Sequence, residues 1–150
     1  MSRKLESVIS YSFKHHVDTA KRKHYIPNKE YSGDLKMKDF IKIMKALSDP
    51  VRVKIVKMLQ RRTMCVCEIK EALQIGQPSV SKHLKILEDA GFVEHKKDGL
   101  WMEYYITNGD RSPYVASLLG SLRHWLESEN EIKELIHKLP HIKKEDICRR

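Results

Sequence analysis

Long apolar runs are missing from this chain of 150 residues: none approaches the ~20 residues that a membrane-spanning helix needs. The opening residues also lack the apolar centre of a secretory signal, which points to a cytoplasmic protein. Cysteine is scarce. Cys65, Cys67 and Cys148 are too few for a disulfide framework, and in a reducing compartment they read as free thiols or metal ligands. With only 6 glycines and 5 prolines the chain is not collagen-like. It has no phosphate-cradling glycine loop, no His-Glu-x-x-His and no glycine-flanked serine, so nothing points to an enzyme or to an organic cofactor.

What is present is charge. Basic residues outnumber acidic ones 29 to 20, a net charge of +9, over an apolar fraction of 41% that suffices for one modest core. The excess is uneven. Residues 1–34 carry net +3, residues 35–107 net +5 and residues 108–150 net +1. A basic surface of this kind seeks phosphate backbones or anionic lipid.

Residues 1–34 read as a basic arm: an amphipathic helix on Leu5, Val8, Ile9, Phe13, Val17 and Ala20, then a linker at Pro27, Asn28, Ser32 and Gly33. Residues 35–139 read as the main domain. A helix carries Phe40, Ile41, Met44 and Leu47. A second opens at Ser48-Asp49-Pro50 and buries Val51, Ile55, Met58 and Leu59. A third, from Met64 to Leu73, turns Ile69, Ala72 and Leu73 inward. Gly76 supplies a tight turn, Pro78 opens a fourth helix on Val80, Leu84 and Leu87, and Gly91 stops it. Two strand-like runs then flank Asp98-Gly99, a hairpin signal. Pro113 to Leu139 reads as one long helix, and residues 140–150 as a charged tail.

Helix, short turn, helix and basic hairpin make the order of a winged helix-turn-helix, mainly α with a β-hairpin wing. The face of the fourth helix opposite its apolar stripe presents Gln77, Ser79, Ser81, Lys82 and Lys85, the hydrogen-bonding and cationic types that read base edges and phosphates. Lys96 and Lys97 flank the hairpin tip, within reach of neighbouring phosphates. One reading helix has a small footprint, and two related by a two-fold axis read a palindromic double-stranded operator.

These segments resemble the ArsR/SmtB metal-responsive repressors. The resemblance rests on Leu47-Ser48-Asp49-Pro50-Val51-Arg52, Cys65-Val66-Cys67-Glu68, Gln77-Pro78-Ser79-Val80-Ser81-Lys82-His83-Leu84 and Gly99-Leu100-Trp101-Met102-Glu103-Tyr104. It implies a homodimer through the first and last core helices. It also places Gln77, Ser81 and Lys82 at base contacts, with Ser79 and His83 nearby, and makes the metal-free dimer the DNA-bound, repressing state.

Cys65 and Cys67 stand just ahead of the reading helix. Thiolate sulfur suits arsenic, antimony, cadmium, lead, zinc or copper(I). Residues two apart in a regular helix diverge by ~200°. Placed inside the third helix, the pair would need that turn to unwind, and the unwinding would be the inducing step. Arsenic sensors resembling this chain carry a third cysteine where Lys70 stands here. Cys148 can complete the set from the same or a partner subunit, or two thiolates and a small ligand suffice. Arsenite or antimonite is the leading inducer. The alternatives are a cadmium, lead or zinc site that recruits His15, His16 or His24 of the arm, a thiol-redox regulator, and a membrane-surface role for the arm.

Overall fold

The structure is a computed structural model that describes residues 36–148. The arm, with His15, His16 and His24, lies outside the described residues.

Helix α1 spans Met37–Leu47 and α2 spans Pro50–Leu59. The break between them is chemical. Asp49 caps α2 by accepting the Arg52 N–H at 3.0 Å, and Pro50 takes the first helical position, where no N–H is needed. The buried face of α1 is set by Ile43 and Ala46, whereas Ile41, expected in the stripe, is 41% exposed. Phe40 packs edge-on against Tyr114.

A two-residue strand follows, β1 (Met64–Cys65), and then α3 (Val66–Leu73). The left-handed residue that turns the chain toward the next helix is Gln74, at φ 54°, and not Gly76, whose φ is −65°. The Gln74 side-chain amide donates to the Glu71 carbonyl at 2.6 Å, a local bond that holds this conformation for a residue with a Cβ.

Helix α4 (Gln77–Asp89) buries Val80, Leu84 and Leu87, the stripe its spacing predicts. It ends in a Schellman motif. Gly91 adopts φ +84°, its N–H reaches the Glu88 carbonyl, and the Phe92 N–H reaches the Leu87 carbonyl. Phe92 and Leu87 are both fully buried.

The wing is β2 (Val93–Asp98) against β3 (Trp101–Ile106), antiparallel. Asp98 pairs with Trp101, so the two-residue turn is Gly99-Leu100, one position later than Asp98-Gly99 suggests. Gly99 carries the positive φ of 58° that the turn requires. Strand β1 adds to the far side of β3, giving the order β1-β3-β2 with Met64 opposite Tyr104 and Cys65 opposite Glu103.

The expected single final helix is two: α5 (Pro113–Leu122) and α6 (Asn130–Lys138). Between them Leu126 takes φ 63° and is 41% exposed, and the following Glu127-Ser128-Glu129 offers the core nothing apolar. The decisive group is Lys57. It is 1% exposed, and its ammonium donates to the carbonyls of Leu122 and Trp125 and to the Glu127 carboxylate. Carbonyls that would have continued the helical ladder instead satisfy a buried cation.

The expected tail folds back. A 3-10 turn at Leu139–His141 and a short helix α7 (Lys144–Ile147) bring Cys148 to 8% exposure. Among the described residues no helix is long and apolar enough to cross a membrane.

Candidate functional site: a thiol cluster beneath a helix-turn-helix

Cys65 lies ahead of α3, not within it. It is the N-cap, with extended backbone angles of φ −83° and ψ 166°. Cys67 sits in the first turn. The two sulfurs therefore leave different kinds of backbone, and the divergence expected of residues two apart in a helix does not arise. No unwinding is needed to bring them together. The Glu68 carboxylate fixes this entry by accepting the Cys65 N–H at 2.8 Å. Glu68 is itself buried and held by Arg62 at 2.6 Å.

Cys148 completes the cluster. Its Sγ lies 3.6 Å from Cys65 Sγ, and the sulfurs of Cys65, Cys67 and Cys148 all fall within 4.8 Å of one another. Cys65 and Cys148 are buried and Cys67 is partly open to solvent. Burial pushes the Cys65 thiol up, against the Glu68 N–H that it faces. Burial, together with the neighbouring sulfurs of Cys67 and Cys65, pushes Cys148 well above the usual thiol range. Two sulfurs bonded to one tetrahedral ion at about 2.3 Å stand about 3.8 Å apart. The Cys65–Cys148 pair is already at that spacing, so the donor set fits a single thiophilic ion.

The face of α4 opposite its apolar stripe divides. Gln77, Ser81 and Lys82 are exposed, and Ser79 is half-buried. His83 departs from the expectation. Its side chain is 18% exposed and turns toward Asp49, with Nδ1 3.9 Å from the Asp49 carboxylate. Against the burial that would raise it, the Arg52 N–H, the Arg52 charge and His83 hold the Asp49 carboxyl below the ordinary range. Lys85 is exposed but committed within its own helix, 2.9 Å from Asp89 and 3.6 Å from Glu88. Lys96 and Lys97 are exposed on β2. Among the described residues, Lys82, Lys96 and Lys97 carry no ion pair. The root of the wing is tied to α4 through His95 and Glu88.

Residues 49–95, from the Asp49 cap to the wing's first strand, match the helix-turn-helix family described as "Bacterial regulatory protein, arsR family". An uncharacterized HTH-type transcriptional regulator of Methanocaldococcus jannaschii is 43% identical over 81 residues, covering 53% of this chain and 90% of that one. The chain belongs to the arsR family of regulatory proteins. It is accordingly a DNA-binding transcriptional regulator and not an enzyme. The arsenical resistance operon repressor of Escherichia coli is 28% identical over 102 residues, covering 66% of this chain and 83% of that one. Among solved structures, the transcriptional repressor BigR from Xylella fastidiosa is similar at 29% identity and a TM-score of 0.49, over 57% of this chain and 80% of that one. The arsR-family match ends at residue 95 and the Cys148 segment lies beyond it. Sequence reasoning missed Lys57, Arg62 and Lys144. The one available signal was a lysine in the apolar run Ile55 to Leu59.

Proposed function

We propose that this arsR-family protein is a metalloid-responsive repressor, bound to its operator when the thiols are free and released when arsenite or antimonite is taken up by Cys65, Cys67 and Cys148. The observation that carries this reading is the convergence of three sulfurs, from two distant stretches of chain, to within 4.8 Å. The set consists of soft donors only, and their number matches a trivalent metalloid.

The protonation of the site favours the same class. A divalent cation binds thiolates and must expel protons, which is costlier at Cys65 and Cys148, where burial raises the thiol. Arsenous acid exchanges its three hydroxyls for three thiols. Three arsenic–sulfur bonds form, three arsenic–oxygen bonds break, and the thiol protons leave with the hydroxyls as water. The neutral thiol is the correct reactant for that exchange. The names of the arsenical resistance repressors among the relatives agree with this reading.

DNA is held through Gln77, Ser81 and Lys82 at base edges, with Lys96 and Lys97 on phosphates. The protein acts as a homodimer on a palindromic operator. Met37 and Ile41 of α1, 74% and 41% exposed, belong to the apolar surface that a second copy covers.

The test is a titration of reduced, DNA-bound protein with arsenite, antimonite, cadmium, lead and zinc, followed by fluorescence anisotropy of the DNA. Release by arsenite and antimonite below the concentrations at which the divalent ions act is the expected result. Release by cadmium or zinc alone would make the protein a divalent-ion sensor, and no release by any ion would remove the metal response.

A further inference from the structure

The segment that delivers Cys148 touches two things at once. At one end Cys148 joins the thiol cluster. Near the other, the Lys144 ammonium donates to the Glu103 carboxylate at 2.7 Å and to the Asp98 carboxylate at 3.3 Å. Both acceptors are on the wing. Asp98 ends β2 directly after Lys96 and Lys97, and Glu103 lies on β3, paired in register with Cys65 itself. One short helix thus spans from the sulfurs to the element that carries the phosphate-directed lysines.

The way this segment is held suits it to change. Helix α7 buries no residue, and Leu139 and Cys148 are the buried side chains of residues 139–148. Arg62 anchors its start by donating to the carbonyls of Ile142 at 2.8 Å and Leu139 at 3.3 Å. Beneath it lies a polar cavity of about 330 Å³, lined among others by Arg62, Glu68, Glu103 and Lys144. Leu139 is set in the apolar core and Ile142 packs against it, but beyond Ile142 the seam consists of the Lys144 ion pairs and the Cys148 thiol contact. Such segments open at lower free energy than a packed core does.

We propose that residues 139–148 form a strap that carries the state of the thiol cluster to the wing, with Lys144 as its positioning residue. This rests on the metalloid-repressor reading above. With the thiols free, the strap is held at Cys148 by weak contacts alone, so the Lys144 contacts to Asp98 and Glu103 seen here can open and let the wing settle onto phosphate. An ion bonded to Cys148 together with Cys65 and Cys67 pins the strap. Lys144 then keeps its hold on Asp98 and Glu103, and the wing stays fixed in the arrangement seen here. By linkage the effect is reciprocal: DNA lowers arsenite affinity by the factor by which arsenite lowers DNA affinity.

The test uses the full chain, reduced, with arsenite as the probe. DNA affinity is measured without and with saturating arsenite, and arsenite binding is measured separately by calorimetry, for wild type, Lys144→Ala, Lys144→Arg and the double variant Asp98→Asn with Glu103→Gln. A coupled wild type loses DNA affinity by roughly 5- to 150-fold on binding arsenite. In Lys144→Ala and in the double variant that ratio falls to within about threefold of unity while one arsenite per chain still binds, and Lys144→Arg restores much of it. A ratio in Lys144→Ala equal to that of wild type overturns the strap, even if DNA affinity falls uniformly in both states. Loss of arsenite binding in Lys144→Ala also overturns it, because Lys144 would then be building the site. A wild-type ratio near unity defeats the metalloid reading itself, and the strap with it.

Discussion

Cys65 and Cys148 stand 83 positions apart in the chain, and their sulfurs are 3.6 Å apart. Only the folding back of the last segment makes this so. Replacing Cys148 by serine removes one soft donor while leaving α4 and the wing lysines in place. Cys148→Ser is expected to bind operator DNA within about twofold of wild type and to bind arsenite at least about tenfold more weakly, since hydroxyl is a poor ligand for a thiophilic ion. Calorimetry with arsenite, beside anisotropy with DNA, checks both halves. Unchanged arsenite affinity would leave Cys65 and Cys67 as a self-sufficient pair.

The exchange of hydroxyl for thiol consumes and releases no net proton, whereas a divalent cation displaces protons. Arsenite affinity should therefore change little between about pH 6 and pH 8, while cadmium affinity should rise with pH over the same interval. Isothermal titration in buffers of different ionisation enthalpy reads the proton count directly. Proton release with arsenite equal to that with cadmium would contradict the assignment.

The wing lysines and Lys85 are both exposed, yet they are not equivalent. Lys96→Ala or Lys97→Ala should weaken binding to all DNA sequences and lower the slope of log affinity against log salt by about one. Lys85→Ala should change the slope by less, because Asp89 and Glu88 already neutralise that charge. Salt series on operator and random DNA distinguish the two. A full unit lost in Lys85→Ala would show that DNA pulls the side chain out of its ion pairs.

Lys57 fills the gap between α5 and α6. Lys57→Met leaves the Leu122 and Trp125 carbonyls without their donor, and the expected loss of stability is about 2–3 kcal/mol by chemical denaturation. Its partner Glu127 sets a pH signature. The Lys57 ammonium that bonds it, and Arg61 beside it, hold its carboxyl below the ordinary 4.5. A depressed carboxyl stabilises the fold fully above its unfolded value, and that contribution fades as pH falls through the folded value. Stability should thus be level above about pH 5 and decline below ~4.5, less steeply in Glu127→Gln than in wild type. Thermal melts from pH 3 to pH 7 measure the difference.

Gly109 is held at φ +74°, and a Cβ placed there would stand 2.5 Å from Cα of Ala116 and 2.6 Å from its nitrogen. Those atoms are α5 backbone and have nowhere to go. Gly109→Ala should cost about 3 kcal/mol or more, combining left-handed strain with the displacement of a helix.

Much of this was legible in the sequence because the signals were local. Asp49-Pro50 opens α2, Gly91 stops α4, and Val80, Leu84 and Leu87 form the inner stripe, each fixed by neighbours within one or two turns. What was not legible depends on partners far along the chain. The apolar spacing from Val115 to Ile136 reads as one helix until Lys57, from another element, takes its carbonyls. Cys65 reads as helical until β3 claims it for a two-residue strand. His83 lies in the reading motif, but the cap of a different helix draws it inward. The meeting of Cys148 with the cysteine pair was open between a same-chain and a partner-chain ligand. The geometry of one chain is sufficient for it.

The pairing of β1 with β3 has a consequence for insertions and deletions. Side chains alternate across a strand, so Met64 enters the apolar core while Cys65 is turned to the other face, toward Cys148. Shortening or lengthening the Arg61–Thr63 link by one residue would slide this strand by one place and exchange the two faces. The sulfur would then point into the core and the thioether toward Cys148. Every cysteine would still be present in such a protein, yet the cluster proposed to take up a metalloid would be gone, so the length of that link belongs to the proposed receptor as much as the sulfurs do.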